Sequence, residues 1–222
     1  MSLGAAARVG TFVLCAGTLA ACASVPAVPP GDPLFDDRLF AAPTQNVGAA
    51  DLFTLTPAMK AYARANIGGQ RRGPDLQQQL VDALYTKGQL RLEYDAAMTR
   101  NAAQAFEARS GNCLSLVIMT AAFAKEFGLT VHYQQVMVQD SWSRNGDTTL
   151  SIGHVNLTLA RKPPQGSIDR SDVDPLQVDF LPPPAARGLR TRHLSENTIV
   201  AMYMNNRAVE LMTQGQINDA YW

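Results

Sequence analysis

The chain has 222 residues, and 19 Lys and Arg balance 19 Asp and Glu to a formal charge of zero. No basic cluster exceeds Gln70-Arg71-Arg72, so the electrostatic footprint of a nucleic-acid binder is missing and no nucleic-acid partner is expected. The chain's length suffices for one domain with a sizeable core, or a domain plus a small appendage.

The first segment reads as an export signal. Arg8 is its one positive charge, residues 9–20 are apolar and small, and Leu19-Ala20-Ala21-Cys22 closes the run. The run is too short to cross a bilayer, and small residues precede the cut, as signal cleavage requires. That ending resembles the lipobox of bacterial lipoproteins, which implies a signal peptide over 1–21 and a lipid on Cys22. An ordinary signal peptide with a chance cysteine is the plainer alternative. Ala23 and Ser24 follow, with no aspartate retention signal, so the resemblance implies the periplasmic face of an outer membrane. The expected membrane contact is the lipid anchor. Residues 24–33 are rich in Pro, Ala and Val, suited to an extended tether. A flexible tether is expected over 22–50, with folded structure from near Asp51.

A helix over 56–67 follows from Met59, Tyr62, Ala63 and Ile67 on one face and Gly68-Gly69 as its end. Pro74 opens a second, with Leu76, Leu80, Leu84 and Tyr85 aligned and a stop near Gly88. Residues 90–94 alternate and suit a short strand or an extended lead-in. Thr99 is the expected cap of a short helix ending at Phe106. From Cys113 to Ala124 there is no charged residue, so no face of that helix suits water, and it is expected to be buried and central. Lys125 and Glu126 begin its exposed end and Gly128 stops it. Strand-like runs follow at 130–139, 152–160 and 176–181. Helices first and strands later predict an α+β fold with an antiparallel sheet rather than a parallel Rossmann sheet. Beyond 190, Leu194 and Ile199 flanking Ser195 mark a helix start with a hydrophobic staple.

The three cysteines have different fates. Cys15 leaves with the signal and Cys22 is consumed by the lipid, leaving Cys113 as a lone thiol in an oxidising compartment. Ser110 and Asn112 are capping residues before it, and Gly111 suits a sharp turn. A thiol in a first helical turn meets the positive end of the dipole, which favours the thiolate nucleophile. A buried core cysteine is the bland alternative.

Strand parity supplies partners. His154, Asn156 and Thr158 share one side of their strand, and Gln177 and Asp179 one side of theirs. If the strands are neighbours, Asp179 can meet the imidazole nitrogen that faces away from Cys113, giving a Cys113-His154-Asp179 triad. His132 is a substitute base, Asp172 and Asp174 compete for the acid, and His193 is expected to be exposed. The backbone N–H of Cys113 is the natural oxyanion donor, with Gln104 as a possible second. Trp142 would either wall a cleft or anchor a loop. There is no CxxC and no HExxH, so neither a metal nor another cofactor is expected.

Arg109-Ser110-Gly111-Asn112-Cys113 at a helix start, Phe127-Gly128-Leu129 at its end, and His154 and Asp179 on following strands resemble the transglutaminase-like core of the papain-like cysteine superfamily. Residues 99–106 resemble the usual lead-in to the cysteine, and the resemblance spans roughly 95–181. Val155-Asn156-Leu157 stands where the family often has an aromatic, and the interval from His154 to Asp179 is long. The resemblance implies a thiol enzyme acting on amide bonds by hydrolysis, deamidation or acyl transfer, on a protein or peptide of the cell envelope. The alternative is a non-catalytic envelope lipoprotein that uses the same fold for docking. A transglutaminase-like domain over 51–190 is expected, then a helical segment over 191–222. There Asn206-Arg207-Ala208-Val209-Glu210-Leu211, Gly215 and Ala220 are similar to the start of a tetratricopeptide repeat.

Overall fold

Eleven consecutive buried residues, Leu114 to Ala124, make the helix that begins at Cys113 the centre of the protein. A computed structural model describes residues 35–45, 47–67, 75–86, 90, 92–96, 98–145, 148–162, 173–180 and 189–222, with the backbone alone at 138–143, 145 and 148–152. The expected signal peptide, Cys22, Asp172 and the Trp142 side chain lie outside what is described. Residues 35–40 contain a short 3-10 turn, Asp37–Leu39, capped by Asp36, whose carboxylate takes two hydrogen bonds of 2.8 Å from Arg38.

Among the described residues from 41 on, the helices in chain order are α1 (Pro57–Asn66), α2 (Leu76–Val81), α3 (Ala102–Ala108), α4 (Cys113–Glu126), α5 (Glu196–Thr213) and α6 (Ile217–Tyr221). The strands are β1 (Glu93–Tyr94), β2 (Ser110–Gly111), β3 (Thr130–Asn145), β4 (Thr148–Arg161), β5 (Val173–Val178) and β6 (Thr191–Leu194). Thr56 caps α1 through its hydroxyl with Pro57 in the first turn, and α2 runs on as a π-helical turn, Asp82–Thr86. Helix α4 ends in a Schellman motif. Gly128 takes φ 72°, the Leu129 N–H reaches Ala124 O at 3.0 Å and the Gly128 N–H reaches Lys125 O at 3.0 Å.

Among the described residues, β5-β4-β3-β6 form an antiparallel sheet, and β1 pairs parallel with β2. The chain is therefore a mixed helix-and-sheet fold of the α+β kind. Helix α4 meets α2, α3, β3, β4 and α5. Its Val117, Ile118, Met119 and Phe123 belong to one apolar cluster with Leu52, Met59, Leu80, Leu84, Leu157, Leu159 and Ile199. Burial from both sides explains why a helix without a polar stripe is stable here.

Three sequence expectations change. The tether expected through residue 50 ends sooner: residues 41–222 form one compact unit, in which the Ala41 N–H donates to Asn218 Oδ1 at 3.0 Å and the Thr44 hydroxyl to Asp219 at 2.7 Å. The boundary expected at 190 does not divide the molecule, because Thr191–Leu194 pairs with β3 before α5 begins. The cap of α3 is Asn101, which forms a reciprocal capping box with Gln104. Ser195 does cap α5, and Leu194 and Ile199 beside it are buried.

Candidate active site

The start of α4 is fixed from four directions. Asn112 Oδ1 accepts from the Ser115 N–H at 2.9 Å, the expected capping geometry, and from the Ser115 hydroxyl at 2.9 Å. Ser115 Oγ in turn accepts from the Arg100 N–H at 2.8 Å. The Asn112 amide donates to Thr99 Oγ1 at 2.8 Å, and Asn206 of α5 donates to the same oxygen at 3.2 Å. Thr99 is thus a junction beneath the cysteine helix rather than a helix cap. Glu210 of α5 completes the network, accepting from the Thr99 N–H at 2.7 Å and from the buried Arg207 at 2.5 Å.

Gly111 is a glycine for space. It lies in β2 without a positive φ, and a Cβ there would fall 2.6 Å from Ser115 Cβ. The turn expected at Gly111 is made two residues earlier by Arg109, at φ 53°. Ser110 is paired in β2 and does not cap.

Cys113, His154 and Asp179 come together. The Cys113 sulfur lies 3.1 Å from His154 Nδ1, and His154 Nε2 lies 2.7 Å from Asp179 Oδ1. A carboxylate can only accept, so Nε2 carries the hydrogen and Nδ1 is left to accept the thiol proton. His154 is 4% exposed, so this relay works largely out of water. Asp179 is the first residue beyond β5, yet Leu157 opposes Val178, and the next rung sets Asn156 against Asp179. Asn156, fully buried, donates to Asp179 Oδ2 at 2.7 Å. Its amide is held to one orientation, although its Oδ1 has no hydrogen-bond partner among the described residues. Next to His154 the β3–β4 register shifts: Val136 opposes His154 and Ser141 opposes Ile152, so β3 bulges beside the imidazole.

Tyr94 completes the surroundings. Parallel pairing sets it opposite Gly111, and its hydroxyl lies 3.8 Å from the Cys113 sulfur. Burial pushes the thiol above its ordinary range and the negative Asp179 adds to the rise, while the Tyr94 hydroxyl and the Cys113 N–H oppose it. Desolvation thus works against the helix start, which favours a thiolate. Tyr94 itself is pushed up to about 12, first by burial and then by the neighbouring sulfur.

The three side chains form a line with the imidazole in the middle, both of its nitrogens engaged. That order moves a proton along a chain; it does not converge three ligands on one ion. The competing residues sit elsewhere. His132 opposes Thr158, four residues along β4 from His154, and its ring meets the exposed His193 at 6.1 Å. Asp174 is exposed and ion-paired with Arg161. Gln104 is exposed on α3, its side-chain oxygen accepting from the Asn101 N–H at 3.0 Å, and among the described residues no hydrogen bond ties it to Cys113. Comparison with protein-family models, curated proteins and solved structures finds no match to this chain.

Two residues at the site escape the sequence reading. Asn156 carried a legible signal, being two residues from His154 on the same strand face. Tyr94 lies in the alternating run 90–94, but nothing local points it at Cys113, because its partner Gly111 is 17 positions away.

Proposed function

We propose that the protein is a thiol enzyme acting on amide bonds, with Cys113 as nucleophile, His154 as general base and then general acid, and Asp179 as the residue that orients and stabilises the imidazolium. The observation that carries this reading is the continuous contact from sulfur to Nδ1 at 3.1 Å and from Nε2 to carboxylate at 2.7 Å. The raised thiol fits a base-assisted attack better than a standing ion pair. As sulfur approaches the carbonyl carbon, its proton passes to His154 Nδ1 and the S–C bond forms. The carbonyl π pair moves onto oxygen. Collapse expels the amine, which takes the proton from His154 and leaves a thioester on Cys113. Water releases an acid, giving hydrolysis or deamidation, whereas a second amine gives transfer.

The same reading takes the architecture as a transglutaminase-like variant of the papain-like core: a buried cysteine helix against an antiparallel sheet that carries the base and the acid. It takes Cys22 as the lipidated residue, the periplasmic face of an outer membrane as the location and envelope proteins or peptides as substrates. Ammonia release from glutamine-containing peptides, with and without an added primary amine, tests the chemistry. Activity is expected to vanish in Cys113→Ala, and full activity in that variant would reject the role. Labelled palmitate incorporated by the wild type and absent from Cys22→Ala tests the anchor.

A further inference from the structure

An acyl transfer through Cys113 needs donors for the oxygen that becomes negative when sulfur adds to the carbonyl. The Cys113 backbone N–H is one, at the open first turn of α4, where N–H groups lack intrahelical acceptors. Gln104 is tied by its side-chain oxygen into the α3 cap and makes no described hydrogen bond to the sulfur. Two described side chains are hydrogen-bonded to the sulfur, His154 through Nδ1 at 3.1 Å and Tyr94 through its hydroxyl at 3.8 Å.

The thiol has a single hydrogen. Given to Nδ1, it leaves the Tyr94 contact to be made by the phenol O–H pointing at sulfur. Tyr94 borders solvent, 59% exposed as a whole residue, while its hydroxyl end is partly desolvated beside the sulfur. Three features hold it there: pairing with Gly111, the Glu93 N–H bonded to Arg109 O at 2.9 Å and the Asp95 N–H bonded to Gly111 O at 3.0 Å. The same strand pair thus sets the phenol against the turn that launches α4.

We infer that Tyr94 is the second oxyanion donor of this site, its hydroxyl hydrogen-bonding, beside the Cys113 N–H, the carbonyl oxygen of the substrate as sulfur adds. This rests on the reading of Cys113 as nucleophile. In the step, the sulfur lone pair forms the S–C bond and the C=O π pair moves to oxygen. Tyr94 Oη–H donates a hydrogen bond to that oxygen and keeps its proton. When the carbonyl re-forms, the leaving group departs with the bonding pair and the phenol returns to sulfur. A phenol pushed up to about 12 stays protonated at neutral pH, so it remains a donor throughout.

The test separates reactions that make an oxyanion from one that does not. Acetylation of Cys113 by p-nitrophenyl acetate passes through a tetrahedral oxyanion, and its leaving group needs no protonation. Alkylation by iodoacetamide displaces iodide and forms no oxyanion. In Tyr94→Phe, acetylation followed by p-nitrophenolate release and intact mass is expected to fall about 100-fold, the typical effect of removing one such donor. Both rates are compared on their high-pH plateaus, where the help that the Tyr94 hydroxyl gives the thiolate drops out. There alkylation should stay within about twofold, because it uses no oxyanion donor. Equal acetylation of variant and wild type would overturn the assignment. So would a parallel fall in both reactions, which would make Tyr94 a residue that acts on the sulfur itself. A wild type that is alkylated at Cys113 but never acetylated would overturn the nucleophile reading and this one together.

Discussion

Replacing Gly111 by alanine tests whether the close approach of β2 to α4 sets the position of the sulfur. The added Cβ would lie 2.6 Å from Ser115 Cβ and 3.4 Å from Ser115 Oγ, against about 3.5–4.0 Å for an unstrained carbon contact. About 1 Å of separation is needed to relieve it. Ser115 cannot supply that alone, because its Oγ and N–H are both bonded to Asn112 and its Oγ also accepts from Arg100. The first turn of α4 must move, and Cys113 moves with it. Overpacking of this kind costs about 1–3 kcal/mol, and a 1 Å misplacement of a reacting group costs about 100-fold in rate. Gly153→Ala is the matched control, since its Cβ would meet only the Gln135 amide at 3.9 Å, an ordinary contact, and stability should change by less than about 0.5 kcal/mol. Urea unfolding gives the stability difference, and p-nitrophenyl acetate gives the acylation rate. Gly111→Ala and Gly153→Ala variants that match each other in both measurements would refute the reasoning.

Three further outcomes follow from the same contacts. Asn156→Ala leaves Asp179 Oδ2 without its buried donor, so kcat/KM for a glutamine peptide should fall about 10- to 100-fold, mostly in kcat, as steady-state kinetics will show. In His154→Ala the thiol loses its proton acceptor while burial and Asp179 still disfavour the thiolate. Alkylation by iodoacetamide followed against pH should then reach its midpoint above the ordinary thiol range. A folded-state thiol raised in this way adds stability below the ordinary thiol pKa and loses it as pH rises through the folded value, so that variant should weaken under alkaline urea unfolding relative to Cys113→Ala. Thr99→Val removes the oxygen that accepts from both Asn112 and Asn206. It should lower stability by about 2 kcal/mol in urea and slow acylation of Cys113, because the cap of α4 is left partly unsupported.

The residues that had to be apolar or alternate were the ones readable in advance. A run from Cys113 to Ala124 without charge has no stable place but the core, and Leu114 to Ala124 are all buried. Alternation along β4 placed His154 and Asn156 on one face, and the register with β5 brings Asp179 to that face although it falls just past the strand. The fourth strand was hidden because Thr191–Leu194 is a short, polar edge, exposed except at Leu194, and edge strands carry weak apolar signals. The network from Asn112 through Thr99 to Asn206 and Glu210 joins residues more than 100 positions apart, and no local pattern encodes it. The desolvation of the thiol is hidden for a related reason. The helix start is local and visible, whereas the burial that opposes it comes from packing.

On the proposed reading, His154 takes the proton of Cys113 while sulfur attacks a carbonyl. The most direct measurement of this step is the rate of acetyl transfer from p-nitrophenyl acetate to Cys113 near neutral pH, read by intact mass, in the wild type and in His154→Ala. One acetyl group is expected on the wild type, and a rate at least about 100-fold lower without the imidazole. Equal rates in the two proteins, or an acetyl group that persists in Cys113→Ala, would contradict it.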